Sequence, residues 1–206
     1  MNNLPCPFGE HLQEYWDMRY HLFSKFDDGI QIDEEGLYSV KPELSALSIG
    51  KMIEGEVVLD PFCGVGGSAI GLARAGKKVI AVDNHSDRLS MALNNATIYG
   101  VNDNINFLHG DAIHAIQTNK FDSVYLDPQW GGPEYQRREK FPLEGFQPDG
   151  STLLFEAFKK TQKIAITVPI NFDMSELTTF KTNYYVNFDW INNKAIYSTI
   201  FFNFHN

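Results

Sequence analysis

The stretch "VVLDPFCGVGGSAIGLARAGKKVIAVD" (57–83) limits the possible folds more than any other. "VVLDPF" reads as a strand that is apolar on both faces. "GGSAIGLARAG" reads as a short helix closed by Gly76, and "KVIAVD" as the next strand. A strand apolar on both faces must be covered twice, which favours parallel strands joined by crossover helices. "SDRLSMALNNATIYG" opens at Ser86, a good helix cap, and closes at Gly100. "INFLHGD", "FDSVYLD" and "KIAITVP" supply three more buried strands. The tail "YYVNFDWINNKAIYSTIFFNF" carries two β-rich runs around "INNK", a hairpin pattern. The expected fold class is therefore α/β, with a doubly wound, mostly parallel sheet ending in an antiparallel hairpin.

Residues 1–52 differ in character from the core expected over 53–206. Leu12, Tyr15, Trp16, Arg19, Leu22, Phe23 and Phe26 recur at three- and four-residue steps, which predicts an aromatic-rich amphipathic helix. "IQIDEEGLYSV" predicts two short strands around a tight turn, and Pro42 the first residue of a helix to about Met52. With 206 residues the chain can bury a core without disulfides or metals. Cys6 and Cys63 offer no disulfide framework, and no metal site is expected. The first residues lack a secretory pattern and no run reaches a membrane span. An intracellular monomer follows as the expectation, cytoplasmic, or nuclear in a eukaryote. Seventeen basic against 26 acidic residues give a formal charge of −9, the wrong sign for wrapping long nucleic acid.

Gly64, Gly66 and Gly67 lie between the first strand and its helix, where glycine lets a ligand approach the backbone. Asp83, at the end of the next strand, is placed to accept from ribose hydroxyls. The glycine pattern alone fits a nicotinamide dinucleotide as well as S-adenosylmethionine. Asp60 just ahead of the loop, where an ammonium needs an acceptor, and Asp111 in "GDA", where an adenine amino group needs one, favour S-adenosylmethionine. Asp111 reads equally as a helix cap. Phe62 belongs to the same cofactor set. Cys63, with no histidine partner in sight, reads as a packing residue.

The fourth strand ends in "DPQWGGP" (127–133). Methylating an exocyclic amino group requires a base held flat, with its amino hydrogens bound by acceptors. Asp127 and the Pro128 carbonyl are such acceptors, and Trp130 offers a stacking face. Gly131 and Gly132 leave room above the loop. The competing reading places Trp130 in the core and makes Asp-Pro a plain turn.

Five segments, "EYWDMRYHLFSKFDDGIQIDEEGLYSVKPE", "DPFCGVGG", "NNATIYG", "DPQWGGPEY" and "INNK", closely resemble the trimethylguanosine synthases, the RNA cap guanine-N2 methyltransferases. The resemblance runs in order from about Tyr15 to the hairpin. It implies a class I, Rossmann-like methyltransferase that moves a methyl group from S-adenosylmethionine to N2 of a 7-methylguanosine cap or cap-like nucleotide. It also implies that Trp130 stacks on the methylated guanine and that Phe23, Asp60, Asp83 and Asn95 lie in the cofactor and active-site region. Tyr135 would lie near the cap phosphates, and the helical N-terminal segment would form a small lobe over the site. The family pattern Ser-Pro-Pro-Trp is Asp127-Pro128-Gln129-Trp130 here, and the threonine before Pro42 is Lys41. Basic phosphate-binding positions correspond to Glu14, Ile170 and Ile196, leaving Lys41, Arg137, Arg138 or Lys194 as substitutes. Alternative expectations are an amino methyltransferase for another small nucleotide or RNA guanine, and a 7-methylguanosine-binding module without turnover.

Overall fold

The computed structural model describes residues 4–132, 135, 137–191 and 194–205. The hairpin turn at Asn192 and Asn193, Pro133 of the tryptophan motif, and the Lys194 side chain lie outside them. Seven strands form one sheet in the order β3-β2-β1-β4-β5-β7-β6. They are β1 (Val57–Asp60), β2 (Lys78–Asp83), β3 (Ile105–His109), β4 (Ser123–Leu126), β5 (Ile164–Pro169), β6 (Tyr184–Ile191) and β7 (Lys194–Phe202). β1 to β5 are parallel, and β7 runs antiparallel between β5 and β6. The chain order reverses between β1 and β4, so the carboxyl ends of these two strands flank the crevice where open α/β sheets bind ligands. This is the class I methyltransferase arrangement. Every residue of β4 and β5 is buried, as expected of strands covered on both faces.

The helices are α1 (Gln13–Asp17), α2 (Arg19–Leu22), α3 (Glu34–Ser39), α4 (Glu43–Met52), α5 (Gly67–Arg74), α6 (Ser86–Ile98), α7 (Ala112–Thr118) and α8 (Gly150–Phe158). Two expectations are corrected. The continuous helix over Leu12–Phe26 is broken at Met18, whose φ of −89° and ψ of 3° leave helical geometry. The Arg19 guanidinium turns back to donate to the Trp16 carbonyl and packs over the Trp16 and Tyr20 rings at 4.9 and 4.5 Å. Cation–π packing there outweighs a regular helix. "IQIDEEGLYSV" forms α3, not a hairpin, because Asp33 caps it by accepting from the Gly36 amide at 2.7 Å. Two boundaries also move by one residue. His85 is the N-cap of α6, and Pro42 that of α4.

The first 52 residues share a core with the sheet. Leu22, Phe23, Leu37 and Ile49 pack in one cluster with Val58, Ala69, Tyr125 and Phe201. Gly67 to Ala73 of α5 are all buried, because α4 covers the side that the sheet leaves. That contact is close: a Cβ on Gly71 would meet Ala46 at 2.5 Å, and one on Gly50 would meet Ala75 Cβ at 2.8 Å. Gly71→Ala must therefore push α4 outward. The expected cost is ~1–3 kcal/mol, the usual range for overpacking, read as a lower urea midpoint. An unchanged midpoint would contradict the close approach.

Candidate active site

The turn after β1 is shaped by what crowds it. Gly66 has φ +95°, and a Cβ there would lie 3.1 Å from Ala92 of α6. Glycine is needed for both reasons. Asp83 at the end of β2 holds the turn: Oδ2 accepts from the Gly64 amide and Oδ1 from the His85 amide, both at 2.9 Å. Asn95 in α6 is fully buried and ties the turn to the N-terminal segment. Its Nδ2 donates to the Val65 and Gln31 carbonyls at 2.9 and 2.8 Å, and its Oδ1 accepts from the Gln31 amide. The Asn95 amide is consumed by the fold, so it positions the loop and does not face a substrate. Phe23 is likewise 2% exposed and sits inside the core.

A cleft of about 130 Å³ opens at the carboxyl ends of the strands, lined by Phe62, Asp83, Asp111, Gln129 and Gln147, among others. Asp111 both lines it and caps α7, its Oδ1 accepting from the His114 amide at 2.9 Å. Asp60 lies behind the turn, fully buried. One oxygen accepts from the Phe62 amide, and Oδ2 has no partner among the described residues. Burial, with the Asp127 and Asp83 carboxylates nearby, pushes its pKa up to about 8. A larger groove of about 350 Å³ lies among Phe8, Trp16, Phe26, Ile30 and Met91, but none of its lining residues belongs to a strand end. Burial raises the Cys63 thiol well above its ordinary pKa, in keeping with a packing residue.

Asp127, Pro128, Gln129 and Trp130 follow β4, next to this cleft. Trp130 is neither core nor fully exposed. It is half-buried, packs edge-on against Tyr135 at 5.0 Å, and its Nε1 lacks a partner among the described residues. Gly131 and Gly132 turn the chain at φ +76° and +79°, a region suited to glycine. Gln129 Nε2 donates to Glu35 Oε1, Arg88 binds the other oxygen of Glu35, and Arg88 also pairs with Asp33. This chain of polar contacts joins the tryptophan loop to α3 and α6.

Lys41 departs from its expected role as a surface cation for phosphates. It is 4% exposed, and its Nζ lies 3.1 Å from Asp127 Oδ2 and 3.3 Å from Thr167 Oγ1. Burial between the glycine turn and β5 takes it out of solvent. Glu14 and Ile170 are exposed and carry no positive charge, whereas Arg137 and Arg138 are exposed cations beside Tyr135. Glu35, Arg88, Tyr125 and Thr167 were not singled out in the sequence. Thr167 was visible as a polar residue inside the apolar run "KIAITVP".

The residues fit S-adenosylmethionine at both of its polar ends: an orphaned buried carboxylate oxygen beside the glycine turn, and Asp83 with Phe62 in the open cleft. Residues 55–202 match the family described as RNA cap guanine-N2 methyltransferase. The trimethylguanosine synthase of Schizosaccharomyces pombe is 34% identical over 84% of this chain and 77% of its own. That of Saccharomyces cerevisiae is 33% identical over 81% of this chain and 57% of its own, so the chain spans little more than half of that relative. Among solved structures, a tRNA (uracil-54, C5)-methyltransferase of Pyrococcus abyssi in complex with S-adenosyl-L-homocysteine superposes with a TM-score of 0.55. It is 18% identical over 76% of this chain and 36% of that one, a likeness of fold. Fold and family together identify the cofactor as S-adenosylmethionine and leave no ground for a nicotinamide. Among the described residues there is no group of His, Cys, Asp or Glu arranged to hold a metal, and no helix is long and apolar enough to cross a membrane.

The raised pKa of Asp60 has a consequence for stability. The folded state holds this proton more tightly than the unfolded chain, so the burial penalty grows as pH rises from about 4 to about 8. Asp60→Asn should therefore melt at the same temperature as the parent, or higher, at pH 8. A marked loss of stability there would mean that the carboxylate has a structural partner.

Proposed function

Because the chain belongs to the RNA cap guanine-N2 methyltransferase family, we propose that the end of β4 presents a 7-methylguanosine cap, or a cap-like nucleotide, for methylation at N2. Family membership supports S-adenosylmethionine-dependent guanine-N2 methyltransferase activity. The substrate and the residue roles are the proposal. The observation that carries it is that Gln129, inside the tryptophan motif, also lines the cleft shared by Asp83 and Asp111. Base loop and cofactor cleft are thus one site.

When bound, S-adenosylmethionine supplies an electrophilic methyl group on a sulfonium. Trp130 stacks on the guanine and gains a cation–π contribution from the 7-methylated ring. Asp127 and the Pro128 carbonyl accept the N2 hydrogens, which turns the nitrogen lone pair out of conjugation. Asp127 would take the N2 proton that the incoming methyl group displaces and pass it to solvent. Asp83 would accept from the cofactor's ribose and Asp111 from its adenine amino group, beside Phe62. Asp60 would receive its ammonium, directly or through one water. Tyr135 supports the tryptophan edge near the phosphates. Catalysis rests on position and electrostatics, without a covalent intermediate.

Incubation with S-adenosylmethionine and a 7-methylguanosine dinucleotide, GTP or adenine nucleotides, followed by mass spectrometry, tests this. Methylation of the 7-methylguanosine compound is expected, and absence of transfer to every guanine substrate would overturn the reading. Trp130→Ala should lower kcat/KM by about 5- to 150-fold, the worth of one stacked base. A variant with full activity would contradict stacking. Cofactor binding at pH 7, measured by calorimetry in several buffers, should release close to one proton as Asp60 ionises opposite the ammonium. Asp60→Asn should abolish that release and weaken binding.

A further inference from the structure

Three aspartates, two of them buried, lie around one buried cation beside the proposed base site. Asp60 ends β1, Asp127 follows β4, and Asp189 lies on β6 at 6% exposure. Asp60 and Asp189 each leave Oδ2 without a partner among the described residues, whereas Asp127 Oδ2 meets the Lys41 ammonium at 3.1 Å. Lys41 is held on every side. Its Nζ donates to Thr167 Oγ1 at 3.3 Å and sits 3.8 Å from the Tyr197 ring centre. Its carbonyl lies where a Cβ on Gly67 would come within 3.2 Å. The Tyr125 hydroxyl donates to the same Asp127 Oδ2 at 3.3 Å and accepts from Thr167 Oγ1 at 2.8 Å. Oδ2 is therefore fixed by two donors, while Oδ1 takes no hydrogen bond among the described residues.

We infer that Lys41 is a positioning residue for methyl transfer: with Tyr125 it fixes Asp127 Oδ2 and so turns Oδ1 toward the substrate amino group. The inference rests on the role proposed above for Asp127. A cation stabilises the charged form of the carboxylate it touches, and the neighbours receive less. Burial raises the pKa of both Asp60 and Asp189. The other titratable or polar groups facing the pair are Asp83 behind Asp60, Tyr125 on β4, Tyr197 on β7 and Ser45 on α4. None of them is a cation. Because Lys41 precedes α4 and abuts the glycine turn, the pair also ties the cofactor loop to the catalytic strand.

The test removes the charge in two ways, with Lys41→Met and with Lys41→Gln, which keeps a donor in case the methionine variant folds poorly. In crystal structures of either variant, the Asp127 carboxylate should leave the orientation it has in the parent. An unchanged orientation would overturn the inference, and this readout needs no substrate. In turnover of a 7-methylguanosine dinucleotide, kcat should fall roughly 10- to 100-fold, as for a misplaced reacting group, with KM nearly constant. In an Asp127→Asn background the same Lys41 substitutions should have little further effect. An equal loss in both backgrounds, or a rise in KM confined to phosphate-bearing substrates, would instead make Lys41 a substrate ligand. If the parent methylates no guanine, the substrate reading fails, while the variant crystal structures still decide the role of Lys41.

Discussion

From Gly66 onward the turn after β1 has no spare volume, and much of the rest of the molecule is arranged around that fact. Ala92 crowds Gly66, the chain at Val40 and Lys41 crowds Gly67, and Ala46 of α4 crowds Gly71 one helical turn on. Three segments far apart in sequence must seat together before the turn has its shape. Asp83 and Asn95 then fix it by hydrogen bonds that leave little freedom. A carboxylate is consequently sealed behind the turn and an open cleft lies in front of it.

The same packing explains why the N-terminal segment matters to chemistry at the far side of the sheet. It contributes Lys41 to the ion pair with Asp127, and Glu35 to the contact with Gln129. Both contacts end on the loop after β4. A partly buried carboxylate at Asp127 is stabilised by a cation beside it, and Lys41 is that cation. The two departures from the family pattern thus meet in space at 3.1 Å. The same pairing takes Lys41 away from any phosphate.

Much of the fold was legible because buried parallel strands and glycine-closed helices leave strong patterns. β1, β2 and the loop between them, and the strand ending at Asp127, lie where the sequence puts them. The helix through Met18 was misread because periodicity does not report that Arg19 will fold back on Trp16. α3 was misread because Gly36 looked like a turn, although Asp33 followed by two glutamates is a helix start. Asp60 and Asp83 end β1 and β2, and Asp127 follows β4, at the strand ends where the sequence puts them. What the sequence could not tell was which side chains would be spent on structure. Asn95 and Lys41 are chemically suited to bind a ligand, and packing gives them other partners.

The central claim is that the loop after β4 holds a cap guanine with N2 against Asp127. A crystal structure with S-adenosylhomocysteine and 7-methylguanosine triphosphate tests it most directly. The account predicts a guanine ring parallel to Trp130, with N2 about 3 Å from Asp127 Oδ1, an ordinary hydrogen-bond distance, and Oδ2 still on Lys41. A guanine bound away from Trp130, or an Asp127 with both oxygens turned from the base, would contradict it.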